Sequence, residues 1–146
     1  MPYSLTYSST ACFVLSETEV GILLGRAREL NAAADVTGLL VYLLWGDDRA
    51  GFVQVLEGEQ DAVEETYARI CRDELHRDLT VVQRGAVAGR RFSGWSMKFT
   101  RLQHQEMPQV TPGRTVAEDM GDPLTDPAAA LRVIAADGDP HSDTGV

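Results

Sequence analysis

The chain has 146 residues, 44% of them apolar, which is enough for one domain with a single hydrophobic core. Its formal net charge is −9 and it carries no basic stripe, which argues against proteins that bind nucleic-acid phosphates or anionic membrane surfaces. No apolar run approaches the roughly 18–20 residues that span a bilayer, and no secretory signal pattern opens the chain, so we expect a cytoplasmic protein.

The first two predicted elements are a strand and a helix. Residues 3–8 alternate between apolar and polar side chains, which predicts a strand. Ser16 and Glu19 have the spacing of a capping box, which predicts that a helix begins there. The apolar stripe of this helix predicts its end near Asn31.

A pair of strands is predicted next. Residues 36–42 and 52–57 are apolar and rich in strand-forming side chains, and Gly58 closes the second run. Residues 44–51 contain a Gly-Asp-Asp sequence, which predicts a long hairpin loop between the strands.

A second helix is predicted over about residues 61–74, followed by strands over about 80–87 and 92–100. Four side chains of this helix are expected to face the core: Val63, Tyr67, Ile70 and Cys71. The order β-α-β-β-α-β-β predicts an α+β, ferredoxin-like fold, with two helices on one face of a mixed five-stranded sheet.

The rest of the chain, residues 102–146, is predicted to be an acidic extension of a domain formed by residues 1–101. The extension is expected to be partly helical within about 115–136, because Pro127 follows an N-cap residue and Gly138 suits a helix end. Its last residues, from Asp139, are expected to be disordered.

Motifs for nucleotide phosphates, a nucleophilic serine or a metal ion are missing from the sequence. The histidines His76, His104 and His141 are scattered along the chain. Cys12 and Cys71 lie far apart in the sequence; one disulfide stays open, but two buried, reduced thiols are favoured.

Two amides fall where a simple core would have none. Gln54 lies mid-strand on the face of Phe52 and Leu56, where it could bind a ligand or bond the backbone at a sheet irregularity; the strand alone favours the second. Asn31 lies on the core stripe of the first helix, where it could be a ligand-binding side chain or the C-cap.

Other candidate site residues are equally ambiguous when taken singly. Tyr7 is expected in the core with its hydroxyl at the rim. Trp95, Met97 and Phe99 alternate as the apolar face of a final strand would. Three residues are expected on one flank of the second helix: Arg69, Asp73 and His76. They could form a solvated ion pair, or they could offer positive and negative side chains to a ligand that lies against the helix.

Taken together and in order, these residues resemble the BLUF domains, a family of blue-light sensors that use FAD. The resemblance covers about residues 3–101 and is carried by residues 5–9 (LTYSS), 36–40 (VTGLL), 52–58 (FVQVLEG) and 91–97 (RFSGWSM). It implies a flavin ring bound non-covalently between the two helices, over the sheet.

Specific roles follow from the resemblance. Tyr7 resembles the photoactive tyrosine, and Gln54 the glutamine that bridges it to the flavin. Asn31 resembles the asparagine that binds the pyrimidine edge of the ring, while Trp95 and Met97 resemble a pair that compete for the space beside the glutamine. The resemblance also places three residues along the ring and ribityl side: Arg69, Asp73 and His76.

The chain departs from the family pattern at three places. Leu30 stands where many members have asparagine or histidine, and Leu75 stands where an arginine often precedes the histidine. The hairpin over residues 44–51 is longer than usual, and Trp45 within it could anchor an interaction.

The resemblance implies a short, stand-alone bacterial photoreceptor rather than an enzyme, with signalling through the last strand and the C-terminal segment to a protein partner. Self-association is also possible for such a sensor. Two other functions stay open from the residues alone: a flavin-dependent redox enzyme on a ferredoxin-like fold, and a flavin-free interaction module.

Overall fold

The computed structural model describes residues 2–45, 48–103 and 127–136, which form five strands and three helices. In chain order these are β1 (Tyr3–Ala11), α1 (Glu17–Ala33), β2 (Thr37–Trp45), β3 (Arg49–Gly58), α2 (Gln60–Cys71), β4 (His76–Ala86), β5 (Lys98–Gln103) and α3 (Pro127–Ala136). The predicted α+β class and the order of its elements are confirmed. No helix in the described part of the chain is long and apolar enough to cross a membrane.

The five strands form one mixed sheet in the order β4-β1-β3-β2-β5. All neighbours are antiparallel except β2 and β5, which are parallel. The pairing of β1 with β4 is irregular between Thr6 and Tyr7, whereas β3 pairs in continuous register with both of its neighbours. The strand that carries Gln54 is therefore a regular central strand.

Each face of the sheet has its own hydrophobic core. On the helix face, covered by α1 and α2, the core includes Leu5, Leu24, Leu40, Phe52, Leu56 and Val63. On the far face, covered by α3, it includes Leu39, Val41, Val53, Phe92, Val133 and Ile134. The predicted C-terminal helix therefore packs on the side of the sheet opposite α1 and α2; residues 104–126 and 137–146 lie outside the described residues.

The loop between β2 and β3 is shorter than the predicted hairpin loop over residues 44–51. The strands pair as far as Leu44 with Ala50 and Trp45 with Arg49, so only residues 46–48 separate them. The Arg49 guanidinium lies 4.5 Å from the centre of the Trp45 ring, and this cation–π contact stabilises the last pair.

The second helix ends three residues earlier than predicted. It ends at Cys71 because the Asp73 side chain accepts a hydrogen bond from the Leu75 N–H at 2.9 Å, which forms a turn. The chain then enters β4 at His76 rather than near residue 80. Cys71 and Cys12 are free but exposed, so the prediction of buried thiols is wrong: one ends a helix and the other follows β1.

Gly38 gives a test of the packing between β2 and β3. A Cβ atom at this position would lie 1.9 Å from the Val55 carbonyl oxygen, which belongs to the backbone of the paired strand. We expect Gly38→Ala to lower the free energy of unfolding by about 3 kcal/mol or more. Gly21→Ala on α1, where a Cβ meets nothing within 4 Å, should raise it by about 0.5–1 kcal/mol. Equal urea midpoints for the two variants would contradict this packing.

Candidate functional site

A cavity of about 380 Å³ lies between α1, α2 and the helix face of the sheet. This volume is in the range of small-molecule sites, about 300–1,000 Å³. Six of the predicted site residues line it: Tyr7, Asn31, Gln54, Arg69, Asp73 and His76. The fold thus brings together side chains from β1, both helices, β3, the turn after α2 and the start of β4.

Tyr7 and Gln54 form a buried pair on the floor of the cavity. They are directly opposite each other in the antiparallel pairing of β1 with β3, so both side chains point to the helix face. The Tyr7 hydroxyl donates a hydrogen bond to Gln54 Oε1. The interpretation of Gln54 as a backbone ligand at a sheet irregularity is wrong, because the structure gives its carboxamide two side-chain partners, Tyr7 and Met97.

Tyr7 is fully buried, and its hydroxyl is not at the rim as the sequence suggested. Burial raises the pKa of the Tyr7 phenol well above its usual value of 10, and Tyr67, Cys71 and Asp73 act in the same direction. The ring centre of Tyr67 lies 5.4 Å away, and burial with a hydrogen bond to Cys71 raises the pKa of Tyr67 to about 12. Tyr7 therefore holds its proton on the hydroxyl that faces Gln54.

Met97 is the second partner of the glutamine. Gln54 Nε2 donates to Met97 Sδ at 3.5 Å, and a thioether sulfur is a weak acceptor. Met97 is buried in the helix-face core, while Trp95 is half-buried against the far-face core. The prediction that Trp95 and Met97 lie on the final strand is wrong, because β5 begins only at Lys98. Phe99 does lie on β5 and packs against the helix-face core.

Asn31 is a buried residue inside α1 and not its C-cap, because the helix continues to Ala33 and is capped by Ala34. Its Nδ2 donates to the Ser96 carbonyl at 3.0 Å. The Asn31 backbone carbonyl accepts from the Val36 N–H at 2.8 Å, which leads the chain into β2. The side chain is thus held at the cavity wall next to the connection before β5.

The predicted flank of Arg69, Asp73 and His76 does not lie on one helix. Arg69 is on α2, Asp73 is in the turn, and His76 begins β4, yet all three line the cavity. Among the residues that the structure describes, Arg69 and Asp73 do not pair with each other. His76 Nδ1 lies 2.7 Å from Ser9 Oγ, and its ring centre is 4.9 Å from that of Phe52.

Several cavity residues were missed or were recognised only as departures. Leu30 and Leu75, which stand where the resemblance implies polar residues, both line the cavity with apolar side chains. Phe13 and Ile22 line it as well and are largely exposed, which places them at its mouth. The spacing of Ile22 and Leu30, eight residues apart on α1, is the signal that could have indicated a second stripe.

His76 makes stability depend on pH. Burial lowers the pKa of its imidazole from 6.5, and Asp73 opposes this only partly. As pH falls below about 6.5, the unfolded chain binds a proton that the folded chain does not, so the free energy of unfolding decreases until the folded pKa is reached. In the wild type this decrease is at most about 1.4 kcal/mol per pH unit, and we expect it to be absent from His76→Gln. The measurement is the free energy of unfolding from urea titrations between pH 7.5 and 5. Identical pH slopes for both proteins would contradict it.

We compared the chain with models of protein families and with known proteins. The family model BLUF, described as sensors of blue-light using FAD, matches residues 3–98. The photoactivated adenylate cyclase subunit beta of Euglena gracilis is 28% identical over an alignment of 145 residues, and the match covers 95% of this chain and 16% of that protein.

Two solved structures have a similar fold. The dark-state structure of BlrB, a BLUF protein, is 26% identical with a TM-score of 0.64, and the match covers 93% of this chain and 96% of that one. Klebsiella pneumoniae BlrP1 with FMN and cyclic diGMP is 32% identical with a TM-score of 0.59, over 73% of this chain and 27% of that one.

Proposed function

The chain belongs to the BLUF family, the sensors of blue light using FAD, and from this premise we propose that Tyr7 and Gln54 are its photoactive pair. The single observation that carries the proposal is their buried hydrogen bond on the floor of the cavity. We further propose that the receptor is not itself a catalyst and that it acts on a protein partner.

The cavity fits the flavin ring in size and chemistry. A flat aromatic ring with hydrogen-bonding groups along one edge needs apolar walls and a few amides, and here Leu40 and Phe52 accompany Asn31 and Gln54. Arg69, Asp73 and His76 would line the remaining side. When bound, FAD supplies a ring that becomes a strong electron acceptor on absorbing blue light.

In this proposal, Tyr7 would give an electron to the bound flavin and then its proton, by way of Gln54, to the same ring. The phenol suits both steps because its raised pKa keeps the proton in place until the electron leaves. The proton has a path along the existing hydrogen bond to Gln54 Oε1. No covalent bond to the protein forms, and no substrate is consumed.

Gln54 converts this transfer into a change of hydrogen bonding. Its carboxamide has an acceptor and a donor on one group, so rotation or tautomerisation exchanges its partners without changing net charge. Among the described residues, Gln54 Nε2 donates to the weak acceptor Met97 Sδ alone, so that contact costs little to break. Met97 and Trp95 would then transmit the change to β5 and to the far face under α3.

The receptor must pass its signal to an effector. The Euglena gracilis relative is a photoactivated adenylate cyclase subunit, and the match covers 16% of its length. We propose that the receptor acts on a protein partner through the far face and the extension after residue 101, with self-association as a further option. Cytoplasmic location and bacterial origin stay predictions from the sequence.

The experiment that tests the function is the visible spectrum of the purified protein in the dark, after blue light and during dark recovery. We expect a flavin spectrum that shifts reversibly to the red. A flavin spectrum that bleaches would favour redox enzymology. A colourless protein that stays so with added FAD would favour a flavin-free interaction module.

A further inference from the structure

The connection between β4 and β5 passes from one face of the sheet to the other. Phe92 and Trp95 pack in the far-face core, and two residues later Met97 is buried in the helix-face core. The Trp95 carbonyl accepts from the Gly38 N–H at 3.2 Å. The position of Met97 beside Gln54 therefore depends on what holds this connection.

Glu57 holds the far-face end of the connection. The side chain is 1% exposed, and its two carboxylate oxygens accept hydrogen bonds from consecutive backbone N–H groups, Arg91 at 2.7 Å and Phe92 at 3.0 Å. Thr37 Oγ1 donates to the same carboxylate at 3.3 Å, and Arg90 donates to Thr37. Such charge-assisted bonds are stronger than those between neutral groups.

Arg28 holds the other end. Its Nε donates to the Met97 carbonyl at 3.1 Å, from a half-buried position on α1. One turn later on the same helix, Asn31 donates to the Ser96 carbonyl. Backbone carbonyls next to Met97 are thus fixed by side chains of α1.

Gln54 and Glu57 lie three residues apart on β3, so their side chains point to opposite faces of the sheet. One regular strand therefore carries both the glutamine that contacts Met97 and the carboxylate that fixes the start of the same connection. A shift of the connection at either end changes the distance between Met97 and Gln54.

We propose that Glu57 and Arg28 are positioning residues that hold Met97 beside Gln54 and thereby set how long the light-activated state lasts. The proposal deepens the proposed photoreceptor function and rests on it. Both carboxylate oxygens of Glu57 accept from backbone N–H groups. A glutamine cannot replace it, because the NH₂ of its side chain would face one of these donors.

The first test uses Glu57→Gln, with Glu59→Gln as the matched control, since Glu59 is exposed and makes no side-chain cap bond. We expect amide hydrogen exchange at Arg91 and Phe92 to be about tenfold faster in Glu57→Gln, with or without flavin, and unchanged in the control. Protection equal to the wild type would overturn the role of Glu57.

The second test uses Arg28→Ala, with Arg28→Lys as the conservative variant and exposed Glu29→Ala as the control. We expect Arg28→Ala to alter the Met97 methyl resonance and to change the dark-recovery rate about tenfold, with both returning toward wild type in Arg28→Lys. Unchanged recovery in Arg28→Ala and Glu57→Gln would overturn the proposal. A wild-type protein without a red shift would instead overturn the photoreceptor function.

Discussion

Gln54→Leu is expected to keep flavin bound and to lose the red-shifted state completely. Leucine fills a similar volume next to Phe52 and Leu56, so the cavity should persist. It removes the acceptor of the Tyr7 hydroxyl and the carboxamide, whose rotation or tautomerisation would exchange donor for acceptor. The unpaired Tyr7 hydroxyl should cost about 1–3 kcal/mol of stability unless the ligand satisfies it.

The measurement is the light-minus-dark absorption spectrum, with Gln60→Leu at the exposed start of α2 as the control. The control should bind flavin and shift like the wild type. A normal red shift in Gln54→Leu would show that another group changes its hydrogen bonds.

Tyr7→Phe is expected to leave the protein yellow and to abolish its ordinary photoactivation. The substitution removes one buried hydroxyl and keeps the ring that packs against Tyr67. The proposed electron donor and its proton are then missing, although Gln54 is still present.

Tyr3→Phe is the matched control for this variant. Tyr3 lies on the same face of β1, and its hydroxyl donates to Glu64 away from the cavity residues. Its loss should not affect the light response, measured as the yield of red-shifted protein per absorbed photon. A Tyr7→Phe protein that responds like Tyr3→Phe would contradict the assignment of the electron donor.

Local sequence signals predicted the elements whose ends are set by local contacts. The capping box of Ser16 and Glu19 forms as expected, with both hydrogen bonds present, because it involves only residues three apart. The alternation in β1 likewise placed Tyr7 on the same face as Leu5. The order of the strands and helices followed from these local patterns.

The secondary-structure predictions that were wrong concern segments whose structure depends on residues distant in the sequence. The alternation over residues 95–100 predicts a strand that begins near residue 92, but the side chains of Glu57 and Arg28 bind backbone groups of Arg91, Phe92 and Met97. Asn31 suits a C-cap in isolation, whereas the Ser96 carbonyl gives its amide a partner within the helix. Periodicity within one segment carries no information about such contacts.

The site was predicted mainly through resemblance, since singly Gln54 and Asn31 each had an ordinary alternative. What the structure adds is proximity: Gln54 lies against both Tyr7 and Met97, while Trp95 packs on the far face. Glu57 and Arg28 went unnoticed because a glutamate and an arginine within amphipathic patterns are normally surface residues.

The most direct test of the central claim, that light changes the hydrogen bonds of the Gln54 carboxamide, is a nuclear magnetic resonance spectrum of its side-chain amide. The flavin-bound protein, labelled with ¹⁵N-glutamine, is measured in the dark, under blue light and after recovery, and the Gln54 resonance is assigned by its absence from the dark spectrum of Gln54→Leu. We expect this amide resonance to move under light and to return with the same time course as the flavin absorption. A Gln54 resonance that stays in place while the flavin absorption shifts to the red would contradict the claim.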